Sequence, residues 1–517
     1  VTGGTWTVAS IGDAETLIPL VASDSASYDI IGLVYCKLLE YDGDLELRGD
    51  VAERWEVLDD GLRLRFHMRK DARWHDGTPL TADDVVFTIK TLQDPGTATP
   101  YRSYVDKLAS IRRIDAHTVE VVYRESFAPA LHTWASGLYI LPKHLLSGQD
   151  LLATPLRREP IGCGPWRFRR WDAQTRIVLE RNPDWHRRAP RIAQYNYRII
   201  PDQATMFLEL LSGGLDQMGL TPQQYARQTD DAKFKRSFAK YTYTGFNYTY
   251  LGFNLQPERG GPERFTGFTD ARVRRALAHA VDKQEIIDGV LFGLGEAATG
   301  PYRPGMWYYN GAVSEPAYDP ATARRLLDEA GWRDADGDGV REKDGKPFRF
   351  TILTNQGNKQ REQVGQILQQ RFRAVGVDVE LRILEWSTFL TEFVDKFNFD
   401  AVILGWSTGI DPDQYLMWHS SKTGPREFNF IGYVNPEVDA LLETARATFD
   451  REVRRSSYHR LQEILAAEQP YIFLYVPQSL PAVHRRVVGV EPKAAGIGWN
   501  FEDWWIPADR QGPVRVP

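Results

Sequence analysis

Between Phe348 and Trp406 the hydrophobic period changes from segment to segment, and this alternation limits the fold more than any other feature of the chain. Phe348 to Thr354 is an apolar run of strand length. Gln360 to Val375 carries Val364, Ile367, Leu368 and Phe372 at helical spacing, and Gly376 can end that helix. Val377, Val379, Leu381 and Ile383 alternate as on a strand, Ser387 to Phe397 suits a second helix, and Phe399 to Trp406 is a third apolar strand. Right-handed β-α-β crossovers make three such strands parallel. Ligands of parallel sheets bind beyond the carboxyl ends of the strands. The loop Gly405-Trp406-Ser407-Thr408-Gly409-Ile410-Asp411-Pro412, with Asp413 behind it, is therefore the first candidate for ligand contact. Trp386 ends another strand on the same side, and His419 follows close after the loop.

The rest of the chain has the same α/β character. Val57 to Arg69 reads as two paired strands around an Asp59-Asp60-Gly61 turn. Thr81 opens a helix as N-cap, with Asp84 three residues on and Val85, Val86, Ile89 and Leu92 as its apolar face. Thr269 precedes a helix bearing Val273, Ala276, Leu277, Ala280 and Val281. Asp282 caps the next piece, and Asp319-Pro320 and Asn435-Pro436 start two more helices. At 517 residues the chain is too long for one simple core. A net charge of -6 and a pI near 6.0 offer no basic surface for nucleic acid or an anionic membrane. No apolar run reaches the length of a membrane span. The opening Val1-Thr2-Gly3-Gly4 reads as a processed start. The two cysteines, Cys36 and Cys163, leave a disulfide and a pair of buried thiols both open.

Two motifs compete for a chemical role. Gly405-Trp406-Ser407-Thr408-Gly409 fits the G-x-S-x-G nucleophile elbow and follows a strand, with Asp439 or Asp450 and then His459 or His484 in the required order. An elbow needs a helix directly after its Ser, whereas Gly409 and Pro412 break the chain there. A binding loop whose small residues let backbone approach a ligand is the better reading. Asp334, Asp336 and Asp338 fit the first ligand positions of a calcium loop, but Gly345 stands where the closing Glu belongs and a strand follows, so a surface turn is expected. None of the 10 histidines has zinc-ligand spacing, and no nucleotide-binding glycine motif occurs, so neither a metal nor a cofactor is expected.

One ordered series of segments is highly specific. Trp74-His75-Asp76-Gly77-Thr78-Pro79-Leu80-Thr81-Ala82-Asp83-Asp84-Val85-Val86-Phe87 resembles the signature of the family 5 extracellular solute-binding proteins, the oligopeptide- and dipeptide-binding proteins of ABC transporters. Ala52-Glu53-Arg54-Trp55 precedes it. Gly162-Cys163-Gly164-Pro165-Trp166, Leu179-Glu180-Arg181-Asn182-Pro183, Phe253-Asn254, Val273-Arg274-Arg275-Ala276-Leu277, Leu327-Asp328-Glu329-Ala330-Gly331 and Gly405-Trp406 with Asp411-Pro412 follow in order. The resemblance spans nearly the whole chain. It implies a type II periplasmic binding fold with lobe I from 1–35, 155–245 and 475–517, an inserted subdomain at 36–154, and lobe II at 246–474. It implies no catalysis, a ligand held in the cleft, lobes that close by hinge motion, and permease subunits of an importer as partners of a monomer at the periplasmic or extracellular face of the membrane, with a lipid anchor left open.

Peptide binders of this family place an Asp in the loop after Gly-Trp, where it meets the peptide's α-amino group. Here Ser407, Thr408 and Gly409 fill that stretch, and Asp411 or Asp413 is the nearest substitute. Gly12, Asp13 and Glu15, after the first strand, are expected to border the cleft, as are Tyr248, Asn254 and Trp499. Capture of an oligopeptide is the leading function. A same-fold binder of an oligosaccharide, nickel chelate, haem or opine and a serine hydrolase acting through Ser407 are the alternatives.

Overall fold

A computed structural model describes residues 2–512, so Val1 of the opening tetrapeptide and the last five residues of the C-terminal piece lie outside it. A four-stranded sheet runs Thr5–Ser10, Gln194–Ile199, Arg176–Arg181 and Trp166–Asp172 in spatial order, parallel only in the first pair. Beside it Gln217–Gly219, Pro481–His484 and Phe238–Lys240 form an antiparallel sheet. Strands from both ends of the chain and from its middle thus build one lobe.

The segment between those pieces folds on a second four-stranded sheet, Ala52–Leu58, Arg63–Met68, Thr118–Tyr123 and Leu108–Asp115, antiparallel throughout. The turn expected at Asp59-Asp60-Gly61 is present, and all three residues take positive φ (52°, 52° and 87°), which Gly adopts freely and Asp tolerates. Helix Ala82–Gln93 begins with the expected capping box: Asp84 accepts the Thr81 N–H at 2.9 Å. The other oxygen of the same carboxylate accepts the Lys143 N–H at 3.1 Å, so the signature helix also pins the chain leaving the subdomain. Cys36 and Cys163 form a disulfide. It joins the two chain segments that flank this subdomain. The glycines around Cys163 make it feasible, because a Cβ on Gly162 would lie 1.9 Å from the Val34 carbonyl oxygen and one on Gly164 2.6 Å from that of Leu33.

The second lobe is built on a mixed sheet, ordered Tyr243–Thr244, Tyr471–Ser479, Asn247–Phe253, Ala401–Ser407, Arg349–Asn355 and Asp378–Leu384, with Gly295–Ala297 also on Tyr471–Ser479. Its expected parallel half is present: Arg349–Asn355 lies between Asp378–Leu384 and Ala401–Ser407 and is parallel to both. Helix Lys359–Arg373 makes the first crossover. The second differs from expectation, because a short turn, Trp386–Thr388, runs into a π-helical turn, Phe389–Val394, in place of a regular helix. The helix after Thr269 is Ala271–His279, capped by Asp270, whose side chain accepts the Arg272 N–H; Asp282, Asp319 and Asn435 cap as expected. Separate apolar clusters around Phe350 and around Tyr471 form the lobe's core. Tyr471–Ser479 passes directly into Pro481–His484 of the first lobe, and Tyr243–Thr244 runs antiparallel beside it. These adjacent strands connect the lobes. Among the described residues no helix is long and apolar enough to cross a membrane.

Candidate functional site: the cleft between the lobes

The lobes are closed on one another. Arg426 of the second lobe donates to the Glu15 carboxylate at 3.0 Å and to the Val21 carbonyl at 3.2 Å in the first. Trp386 lies over Gly12, where a Cβ would be 2.8 Å from the indole Cδ1, so only Gly lets the two come together. The Lys359 N–H donates to Gln203 Oε1 at 3.0 Å. A Cβ on Gly357 would meet the Pro201 carbonyl at 2.1 Å. The inserted subdomain reaches the second lobe too: the Ala128 N–H donates to the Arg446 carbonyl at 2.8 Å, and Tyr101 packs edge-on against Phe428, ring centroids 5.6 Å apart.

The loop after the third parallel strand lies in this contact zone. Ser407 is exposed, opposite Asn247 in register, beside a cavity of about 270 Å³ that Gly245, Ser479 and Ala495 also line. Thr408 donates its N–H to the Phe246 carbonyl at 2.7 Å. Trp406 donates to the Tyr471 hydroxyl at 3.3 Å and is covered by Phe428 at 5.3 Å. A Cβ on Gly405 would lie 2.9 Å from an Arg361 guanidinium nitrogen, and one on Gly409 would lie 2.7 Å from the His132 Nε2. His132 thus stands against the stretch Ser407–Gly409, and its Nδ1 pairs with the Tyr41 hydroxyl at 3.1 Å. Burial pushes the His132 pKa below its ordinary value, partly offset by Asp411 and Asp413.

Asp411 and Asp413 do reach this end of the cleft, but each already has a cation. Both Asp411 oxygens accept from one Arg454 nitrogen at 2.9 Å, and Asp413 pairs with Arg446 at 3.1 Å. Arg446 is almost fully buried and Arg454 largely so. Removing these carboxylates would strand buried guanidinium groups, so their first role is to hold the loop on helices Pro436–Arg446 and Arg451–Glu468. The structure brings Gly12, Glu15, Trp386, Gly405, Trp406, Ser407, Thr408, Gly409, Asp411 and Asp413 to the interlobe zone. It takes other expected residues elsewhere. Asp13 accepts from the Trp171 indole at 3.1 Å and the Gln174 N–H at 2.8 Å inside the first lobe. Asn254 donates to the Phe397 and Phe399 carbonyls at 3.2 and 2.9 Å. Tyr248 is buried in the second lobe's core against Phe473. His419 is buried, stacked on Tyr415 at 4.1 Å and bonded to Ser421 at 2.8 Å. Trp499 donates to the Glu491 carbonyl at 2.7 Å and packs over Gly43.

Several cleft groups escape sequence reasoning. Arg361, on the first turn of helix Lys359–Arg373, donates to Asn355 at 2.8 Å, and its Nε is buried without a partner. Burial pushes its pKa down, and only the Tyr475 and Tyr250 hydroxyls oppose this. Asp395 is raised to about 6 by burial despite Arg426, 3.9 Å away. Asp29 is likewise raised to about 6 by burial, although the side chain is exposed. No spacing rule marks these residues, because their neighbours come from remote segments.

The elbow reading finds no support in the geometry. Among the described residues no imidazole is hydrogen-bonded to Ser407; Asp439 accepts from Ser420, Asp450 caps a helix, and His484 packs edge-on against Phe238. The Asp334, Asp336 and Asp338 carboxylates gather within 4.8 Å of one another and are exposed, each accepting backbone N–H groups of its own turn.

Two lobes joined by a pair of adjacent strands and closed on one another define a ligand-capture protein. The chain belongs to the family described as bacterial extracellular solute-binding proteins, family 5, which it matches over residues 46–427. It is 33% identical to the oligopeptide-binding protein AppA of Bacillus subtilis over 98% of this chain and 92% of that one. The solved structure of the B. subtilis AppA in complex with a nonapeptide superposes with a TM-score of 0.91, covering 98% of this chain and 99% of the other at 32% identity. NikZ from Campylobacter jejuni in complex with Ni(L-His) superposes at 0.86 with 25% identity, over 97% and 99%. Members of the family bind substrates and are not enzymes, and their extracellular class agrees with a site outside the cytoplasmic membrane.

Proposed function

We propose that this protein captures oligopeptides in the interlobe cleft, outside the cytoplasmic membrane, and delivers them to the permease subunits of an ABC importer. The observation that carries this reading is the near full-length likeness, in sequence and fold, to a protein solved with a nonapeptide in place. The local chemistry supports it. The strand ends at Ser10 and Ser407 come to the interlobe zone, where main chain can approach a ligand, as peptide recognition by backbone hydrogen bonds requires. The same reading divides the chain into lobe I at 1–35, 155–245 and 475–517, a subdomain at 36–154, and lobe II at 246–474; the sheets support this division except at the connecting strands, where Tyr243–Thr244 and the end of Tyr471–Ser479 lie on the second lobe's sheet. Gentle purification followed by denaturation and mass spectrometry is expected to release short peptides of mixed sequence. A single sugar, metal complex or haem released in stoichiometric amount would overturn the reading.

A further inference from the structure

We propose that Asp29 receives the cationic end of the captured ligand, the α-ammonium group of a peptide, in place of an acid in the loop after Gly405-Trp406. The inference rests on the peptide reading above and adds its polar anchor.

Helix Ser25–Val34 buries Ala26, Ser27, Ile30, Ile31 and Val34 in the first lobe and leaves Ser25, Asp29 and Gly32 exposed, four and then three residues apart on one face. The helix adjoins the second lobe through its aromatic neighbours. Beside Asp29, Tyr28 packs on Tyr101, Tyr101 on Phe428, and Phe428 on Trp406. From the inner strand Gln194–Ile199 of the first lobe's sheet, Tyr197 donates its hydroxyl to Asp29 Oδ2 at 3.0 Å. Oδ1 takes no protein partner among the described residues and is accessible.

What singles out Asp29 is the partnership of the other cleft acids. Asp411 has Arg454, Asp413 has Arg446, and Glu15 and Asp395 share Arg426. Asp24 is taken up by Ser27. Asp29 forms no ion pair among the described residues. A carboxylate that has no cation of its own gains most when a positive charge arrives beside it. An ammonium suits the free oxygen, because one N–H···O bond to Oδ1 leaves the Tyr197 bond intact. A guanidinium would seek both oxygens, one of which Tyr197 holds. A divalent metal would need several more oxygen ligands, and the neighbouring Asp24 has already committed its oxygens. The loop needs no acid of its own on this account, which fits the placement of His132 against Gly409.

The test starts from the solute released by the native protein. A peptide is resynthesised with a free and with an acetylated amino terminus, and both forms are titrated calorimetrically into wild type, Asp29→Asn and Tyr197→Phe. Wild type is expected to favour the free amine by about ten-fold or more. Asp29→Asn should abolish that preference and leave the acetylated peptide's Kd within about two-fold, with Tyr197→Phe intermediate. A preference that survives in Asp29→Asn, or an equal loss for both forms, overturns the assignment and leaves peptide capture standing. A released cationic solute that is not a peptide overturns peptide capture alone, and the same variants are then titrated with it. A solute without a cation overturns both.

Discussion

Arg426 and Glu15 form the ion pair that most directly connects the two lobes, and breaking it should weaken ligand binding without unfolding either lobe. The pair is 3.0 Å long, with 26% of the Arg426 and 13% of the Glu15 side chain exposed, and the same guanidinium reaches the Val21 carbonyl at 3.2 Å. A hydrogen bond between charged groups contributes about 1.5–3 kcal/mol when shielded, and partial exposure reduces this to about 1–2 kcal/mol. On opening, Arg426 keeps Asp395 of its own lobe, 3.9 Å away, so the guanidinium is not stranded and the loss falls on closure. Ligand binding coupled to closure should therefore weaken about five- to thirty-fold in Arg426→Met. The check is a calorimetric double-mutant cycle of Glu15→Gln and Arg426→Met, with small-angle scattering to follow the radius of gyration of the unliganded forms. A coupling of about 1–2 kcal/mol and a shift towards the open form are expected. Additivity within about 0.5 kcal/mol would refute the reasoning. Asp395→Asn, which removes the competing acid, should shift the equilibrium towards closure.

Other consequences can be checked with the same protein. Replacing Cys36 and Cys163 by Ser opens a crosslink spanning 127 residues, which the loop-entropy relation puts at about 5 kcal/mol of stability; the drop in denaturation midpoint should match that of wild type under reductant. Asp411→Asn should destabilise the protein by about 3 kcal/mol, because Arg454 loses its carboxylate, while the ratio of affinities for free-amine and acetylated peptides stays unchanged. Asp29 titrates at about 6 when folded, above its ordinary value near 3.9 in an unfolded chain, so its protonated form is favoured by folding. Stability from this group is complete below about pH 4 and is lost as pH rises through 6. The unliganded Asp29→Asn variant should thus melt higher than wild type at pH 8, by an amount that exposure reduces to about 1 kcal/mol, and the difference should vanish near pH 4. Asp24, Tyr195 and Tyr197 face Asp29 and are unchanged in the comparison, as is Asp395, which also titrates near 6.

The elements that could be read from the sequence are those whose cause is local. The Thr81–Asp84 capping box, the Asp59-Asp60-Gly61 turn and the parallel strands around Arg349–Asn355 each follow from residues within a few positions of one another. Asn247–Phe253 and Tyr471–Ser479 were not visible as neighbours, because antiparallel partners more than 200 residues apart share no periodicity that a linear reading detects. That the loop after Ala401–Ser407 lies between the lobes is legible for the same topological reason as the parallel strands. Its chemistry is not. Asp411 and Asp413 look like free acids in the sequence, and only packing shows that Arg454 and Arg446, on helices beginning well downstream, already hold them. Asp13 and Asn254 failed in the opposite sense: adjacent to strand ends, they look available, but unsatisfied backbone groups of remote loops claim them first.

The absent acid after Gly405-Trp406 thus has a structural meaning that no reading of that loop alone could supply. Gly409 has no room for a side chain, because the inserted subdomain sends His132 into the same place, and that imidazole is kept towards its neutral form by burial. A carboxylate on the loop would sit beside two acids whose charges Arg454 and Arg446 already balance, adding a third negative charge with no cation. Moving the acid to helix Ser25–Val34 separates it from that pair and puts it on the opposite lobe. A ligand ammonium held there is bound by lobe I, while the remainder of the ligand faces Arg361 and the strand ends of lobe II. Such a ligand touches both lobes only when they are closed, and this is the condition for binding energy to be spent on closure rather than on either lobe alone.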